Sequence, residues 1–214
     1  MLPILIFTVL VGAVLSSPSS NQYVDNVLHT TLQNVIKNER IDPTQLHDYT
    51  FEYSDKTFFG RVHGKAEYTE GFLKGLSQVT RASECQGPFN ISTNTVINCT
   101  LSFNYLTTGY KGKVKYGVLP KVNIGAKADV KPTLVTVGIV KAFSSNKPQV
   151  TTFGMLQVGE LLPKFTGLGP LNKQLGVLED NYKSRIASEV ISVILTRFQY
   201  AFSLAVGQVP MPLR

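Results

Sequence analysis

Tryptophan is absent, and methionine, histidine and cysteine number only 3, 3 and 2 in a chain of 214 residues. Two cysteines cannot make a four-thiolate zinc site or staple a miniprotein. His29, His47 and His63 are scattered and point to no catalytic cluster or metal site. Asp42, Asp48, Glu52 and Asp55 are close in sequence, but nothing fixes their geometry, and a solvated loop is the simpler reading. No Gly-x-Ser-x-Gly, His-Glu-x-x-His, P-loop or EF-hand pattern occurs, and the glycines between Gly60 and Gly75 do not form a dinucleotide fingerprint. An enzyme, a cofactor and a metal are therefore not expected. After residue 15 no stretch reaches 18 consecutive apolar residues, so the rest of the chain offers no ordinary membrane span.

What is present is 43% hydrophobic residue content, 17 Gly and a net charge of +7. That is enough apolar material for one packed domain and rules out wholesale disorder. The opening MLPILIFTVLVGAVL has no charged side chain and falls short of the roughly 20 apolar residues of a spanning helix. Val14 and Ser16 suit small-residue cleavage, so residues 1–16 read as a signal peptide and 17–214 as a single secreted, extracellular domain. An uncleaved anchor is the alternative. Export implies an oxidising compartment, in which Cys85 and Cys99 are expected to pair; two free thiols in a core are the other reading. Asn90-Ile91-Ser92 and Asn98-Cys99-Thr100 are glycosylation sequons beside that loop, which places Asn90 and Asn98 at the surface if used.

Periodicity gives the element order. Tyr23, Val24, Val27, Leu28, Leu32, Val35 and Ile36 form one stripe, which predicts a helix over 21–37. Thr44 to Lys56 reads as a connection and Phe58 to Val79 as glycine-punctuated strand. Asn90 to Leu106 alternates as one very long strand. Tyr110 to Val130 reads as a hairpin with a lysine face and an apolar face, followed by a strand over 133–143. Phe153 to Leu162 reads as a short helix stopped at Pro163. From Leu171 to about Val206 the period is helical, and beyond Val190 the helix is apolar on almost every side. Such a rod is buried most economically inside a bent sheet. The expected fold is α+β: a curved antiparallel sheet rolled around a long C-terminal helix, with an N-terminal amphipathic helix.

Two features point to binding. Between Gly109 and Lys147 eight lysines face one acid, Asp129. Lys111, Lys113, Lys115, Lys121 and Lys127 are candidates for contact with anionic headgroups, on a membrane surface or bacterial lipid. A lysine-guarded sheet edge would look the same. Nucleic acid is disfavoured, because this stretch has no arginine to read bases. The second feature is an apolar lip around Gly167-Leu168-Gly169-Pro170. Helix and strand periods nominate Phe153, Leu156, Leu161, Phe165, Leu168, Ile186, Val190, Ile194 and Phe198 as the lining of an apolar ligand channel, with a fully packed core as the alternative.

Ile41-Asp42-Pro43-Thr44-Gln45-Leu46-His47-Asp48, the step Gly71-Phe72-Leu73-Lys74-Gly75-Leu76-Ser77-Gln78-Val79 and the Gly167–Pro170 break resemble the mite group 7 allergen family, in order over the whole mature chain. The resemblance implies a half-sized relative of the bactericidal/permeability-increasing and juvenile-hormone-binding proteins, with lipid or bacterial-lipid binding as its activity. The cysteine loop and its sequons depart from that pattern. The expectation is a secreted, non-enzymatic binder of an apolar or amphipathic ligand held between the C-terminal helix and the sheet. The alternative is a secreted immune or salivary interaction protein with a filled core, acting through its glycosylated loop and lysine face. A lipocalin-like barrel is disfavoured by the missing tryptophan and the C-terminal position of the long helix. The sequence does not give the oligomeric state.

Overall fold

The apolar stripe near the N-terminus folds as α1, residues 18–38, with one wider turn at Val27–Thr31. It buries Tyr23, Val24, Val27, Leu28, Leu32, Val35 and Ile36. The structure is a computed structural model describing residues 18–212 other than 59, so the leader expected over 1–16 lies outside the described residues.

The strands form two antiparallel sheets that do not pair with each other among the described residues. The six-stranded sheet holds β1 (Thr44–Gln45), β2 (Tyr49–Thr57), β3 (Gly60–Lys74), β7 (Thr107–Tyr116), β8 (Val122–Val130) and β11 (Leu161–Thr166). β1 and β2 lie in succession along one edge of β3, and β11 forms the other edge. The five-stranded sheet holds β4 (Thr80–Arg81), β5 (Gln86–Ile91), β6 (Asn94–Phe103), β9 (Thr133–Ala142) and β10 (Gln149–Gln157). The disulfide Cys85–Cys99 ties the start of β5 to β6.

The C-terminal helix, α2, runs through residues 175–206 after a tight turn at Gly169–Gln174, and widens once at Ile194–Phe198. Its first half meets the six-stranded sheet: the Tyr182 ring lies 6.0 Å from Tyr68 and 6.1 Å from Tyr110, and Phe165 packs edge-on at 5.6 Å. Its second half meets the other sheet: Phe198 is edge-on to Phe103 at 4.8 Å, and Phe153 touches Phe198 and Phe202. α1 packs on its end, where the Tyr23 hydroxyl donates to the Val206 carbonyl at 3.4 Å. The core thus lies where both sheets and both helices converge.

The glycines of the long strands make room for rings. A Cβ on Gly64 would fall 2.3 Å from the Tyr53 ring, because β2 pairs these two residues.

The expected fold, a curved antiparallel wall with a long C-terminal helix and an N-terminal helix, is what the chain adopts, and four details within it change. Residues 44–56 are not a loop: Tyr49, Phe51 and Tyr53 face inward on an edge strand. Asn90 to Leu106 is not one strand: β5 ends at Ile91 and β6 runs only from Asn94 to Phe103, so Ile91 at the hairpin turn and Tyr105 in the link to β7 lie exposed while Ile97, Cys99, Leu101 and Phe103 stay buried. Phe153 to Leu162 is two strands and no helix; Pro163 sits in edge strand β11, where a missing N–H is tolerated. The curved wall itself is built as two sheets, open among the described residues. α2 is also not covered all round, since Tyr200 and Leu204 on its outer flank remain exposed although Val190, Ile194, Phe198 and Phe202 are buried.

Candidate functional site

The inner face of β2, β3 and β7 is built from tyrosine. Alternation puts Tyr49 and Tyr53 of β2, Tyr68 of β3, and Tyr110 and Tyr116 of β7 on the side that faces α2. Tyr49 and Tyr68 stack at 4.6 Å, and Tyr53 and Tyr116 stack at 6.1 Å. Some hydroxyls are satisfied: Tyr182 shares a bond with Thr108 at 3.0 Å, Tyr110 donates to the His47 carbonyl at 3.0 Å, and Tyr116 donates to Asp55 at 3.1 Å. The hydroxyls of Tyr49, Tyr53 and Tyr68 are buried without a hydrogen-bond partner among the described residues. Burial resists ionisation here: it pushes Tyr53 and Tyr182 up to about 12. Tyr49, Tyr68 and Tyr110 are pushed higher still, with neighbouring tyrosines adding to the effect.

At the end of this gallery the β2–β3 and β7–β8 hairpins flank an open cavity of about 790 Å³, within the size range of ligand sites. Tyr53, Val62, Tyr116, Val118 and Leu119 supply its apolar lining. Arg61, Lys65 and Lys115 supply three cationic groups, against Glu52. Lys65 is 3.7 Å from Glu52 and from Glu67, while Lys115 forms no ion pair among the described residues. Val118 is fully exposed at the hairpin turn. The arrangement suits a molecule with an apolar body and an anionic end.

The lysines expected to contact headgroups all project from the outer side of the six-stranded sheet or its turn, as the alternation required. They are not equivalent. Lys111 binds Glu70 at 2.6 Å, and Lys121 binds Glu67 at 2.6 Å, which holds the Glu67 carboxyl below its ordinary range. Lys113, Lys115 and Lys127 lack such partners among the described residues. Only Lys115 of the five lines the end cavity.

The nine residues nominated for an apolar channel lie elsewhere. Ile186, Val190, Ile194 and Phe198 are wholly buried in the core, and Leu161 and Leu168 nearly so. Phe153 and Phe165 are half-buried against helix rings. Leu156 is 59% exposed, because β10 turns it away from α2. None of the nine lines the end cavity. Sequence reading missed Tyr53, Arg61, Val62, Lys65, Tyr116, Val118 and Leu119. The one available signal was the alternation Tyr49, Phe51, Tyr53 in a stretch read as a loop.

Asn90 and Asn98 are both exposed.

A family model described as Group 7 allergen matches residues 19–196. Among solved structures the chain is similar to lipopolysaccharide binding protein, with 15% identity and a TM-score of 0.50, over 86% of this chain and 40% of that one. It therefore spans about two fifths of that protein's length. It is also similar to Takeout 1 of Epiphyas postvittana, with 14% identity and a TM-score of 0.46, over 87% of this chain and 92% of that one. No curated protein matches the sequence.

Proposed function

The chain belongs to the Group 7 allergen family, and from that premise we propose that it is an exported, non-enzymatic binder of an amphipathic ligand with an anionic end. The observation that carries this reading is the end cavity, whose apolar lining of Tyr53, Val62, Tyr116 and Leu119 is rimmed by Arg61, Lys65 and Lys115. The apolar body excludes water against the rings, and the anion lies against the cations in a setting where charge pairs are less screened than in bulk solvent. The buried hydroxyl of Tyr53 is a donor that an acceptor on such a molecule can satisfy. Lipopolysaccharide, named for one structural neighbour, falls within this chemical class. Export would follow removal of residues 1–16, with glycans on Asn90 and Asn98.

The test is displacement of a dansylated undecanoic acid from the delipidated protein. Arg61→Glu with Lys115→Glu is expected to weaken binding at least tenfold, while Lys113→Glu leaves it within twofold. Equal binding by all variants, or no binding by the native chain, overturns the reading.

The second reading, an interaction protein with a filled core, draws support from the complete burial of Ile186, Val190, Ile194 and Phe198. It requires that native mass spectrometry of protein purified from its source find no small molecule bound.

A further inference from the structure

A different part of the molecule also has the form of a binding site. On the outer face of the six-stranded sheet, opposite the face that carries the tyrosine rings although Tyr110 also borders it, a crevice of about 550 Å³ opens between β3, β7, β8 and β11. Its origin is a pair of missing side chains. Gly109 of β7 and Gly125 of β8 both line it, and an irregularity in the β3–β7 ladder between Thr69 and Phe72 brings the Phe72 ring over Gly109. A Cβ on Gly109 would lie 2.6 Å from that ring, so the floor is phenyl face and bare backbone.

The rim is cationic. Lys111 is neutralised locally by Glu70 at 2.6 Å. Lys127 and Lys164 stand directly opposite each other in the β8–β11 ladder, an arrangement that is unfavourable for like charges. Lys164 shares Asp129 at 3.4 Å, and Lys127 has no ion pair among the described residues. One positive charge is left over beside an apolar floor.

We propose that this crevice is a second binding site, for a compact apolar molecule ending in a sulfonate, phosphate or carboxylate. The apolar body covers Phe72, Gly109 and Gly125, and the anion lies between Lys127 and Lys164, where it relieves their repulsion. The site is independent of the end cavity and stands or falls apart from it.

The experiment follows the backbone amides of Gly109 and Gly125 by NMR in the full chain, titrated with naphthalene-2-sulfonate and, separately, with uncharged 2-naphthol. The expected result is saturable shifts at both glycines with the sulfonate, and at least tenfold weaker response with 2-naphthol. Lys127→Ala with Lys164→Ala should weaken the sulfonate at least tenfold, whereas Arg61→Ala with Lys115→Ala leaves these shifts unchanged. Vesicles of phosphatidylglycerol form a further arm. If they move the same amides, the anion is a lipid headgroup; if only the free sulfonate does, it is a dissolved solute; either supports the site. Shifts confined to other residues, equal response to 2-naphthol, or a loss of less than threefold in the double lysine variant overturns it.

Discussion

Asp42 is the residue on which the entry into the six-stranded sheet depends. Its Oδ1 accepts from the Gly75 amide at 2.9 Å, and its Oδ2 accepts from the Ser77 amide at 2.8 Å and the Ser77 hydroxyl at 2.6 Å. One carboxylate thereby joins the segment between α1 and β1 to the turn that leaves β3, where Gly75 adopts φ 99°. Gly75 is buried and Asp42 is half-buried, so water can replace only part of what is lost. Asp42→Ala strands two amide donors at about 1–3 kcal/mol each. With partial rehydration the expected loss is about 3 kcal/mol. For a chain of this size that lowers Tm by about 6–12 °C. Ser77→Ala removes only the hydroxyl bond and should cost about 1 kcal/mol. Urea unfolding followed by circular dichroism reads both, and an unchanged slope shows that compactness is preserved. A loss below 1 kcal/mol for Asp42→Ala, or one no larger than for Ser77→Ala, would refute the reasoning. The double variant should also cost less than the sum of the singles, since both act on one network.

Three further outcomes follow from the fold. Phe198→Ala removes a fully buried ring held by Phe103, Phe153 and Phe202 and should cost about 3–5 kcal/mol in the same assay; a loss under 1 kcal/mol would mean that the α2 seat is not packed. Replacing both Cys85 and Cys99 by serine frees a loop with a sequence separation of 14, which should destabilise by about 3 kcal/mol, measured against the oxidised native chain. Tyr53 and Tyr182 have pKa values raised to about 12 in the fold, above the ordinary 10. Their neutral forms therefore contribute stability that is intact below pH 10 and lost as pH rises through 12. Their tyrosinate absorbance should develop together with loss of the circular dichroism signal, and ionisation of these rings near pH 10 in an intact fold would contradict the burial.

The helices and the β7–β8 hairpin were legible because their patterns are long and local. Seven apolar residues at helical steps in α1, and lysines alternating with Val114 and Tyr116 in β7, admit few other readings. The cysteine pair was legible only through the expectation of export, and the structure joins Cys85 to Cys99. β2 was not, because Asp55 falls on the inward side of an otherwise clean Tyr49, Phe51, Tyr53 alternation. β11 was hidden by Pro163 and by the adjacent pair Leu161–Leu162, one of which faces in and the other out. The sites were less visible still. The end cavity draws on residues 52–53, 61–65 and 115–119, which only the ladder registers bring together. The outer crevice comes from two glycines, so its signal is the absence of side chains at positions that become neighbours only through β-pairing.

No strand of one sheet is hydrogen-bonded to the other among the described residues. Away from the short links between β6 and β7, β8 and β9, and β10 and β11, their spacing is therefore set by side chains packed against α2 and not by a ladder. Prising the two walls apart would sever dispersion contacts of about 0.1–0.2 kcal/mol per atom pair, while every backbone bond within each wall survives. What ties one wall to the other is therefore packing on α2 together with the three short crossings at 104–106, 131–132 and 158–160, where the Val130 amide donates to the Leu106 carbonyl and the Lys131 amide to the Glu160 carbonyl.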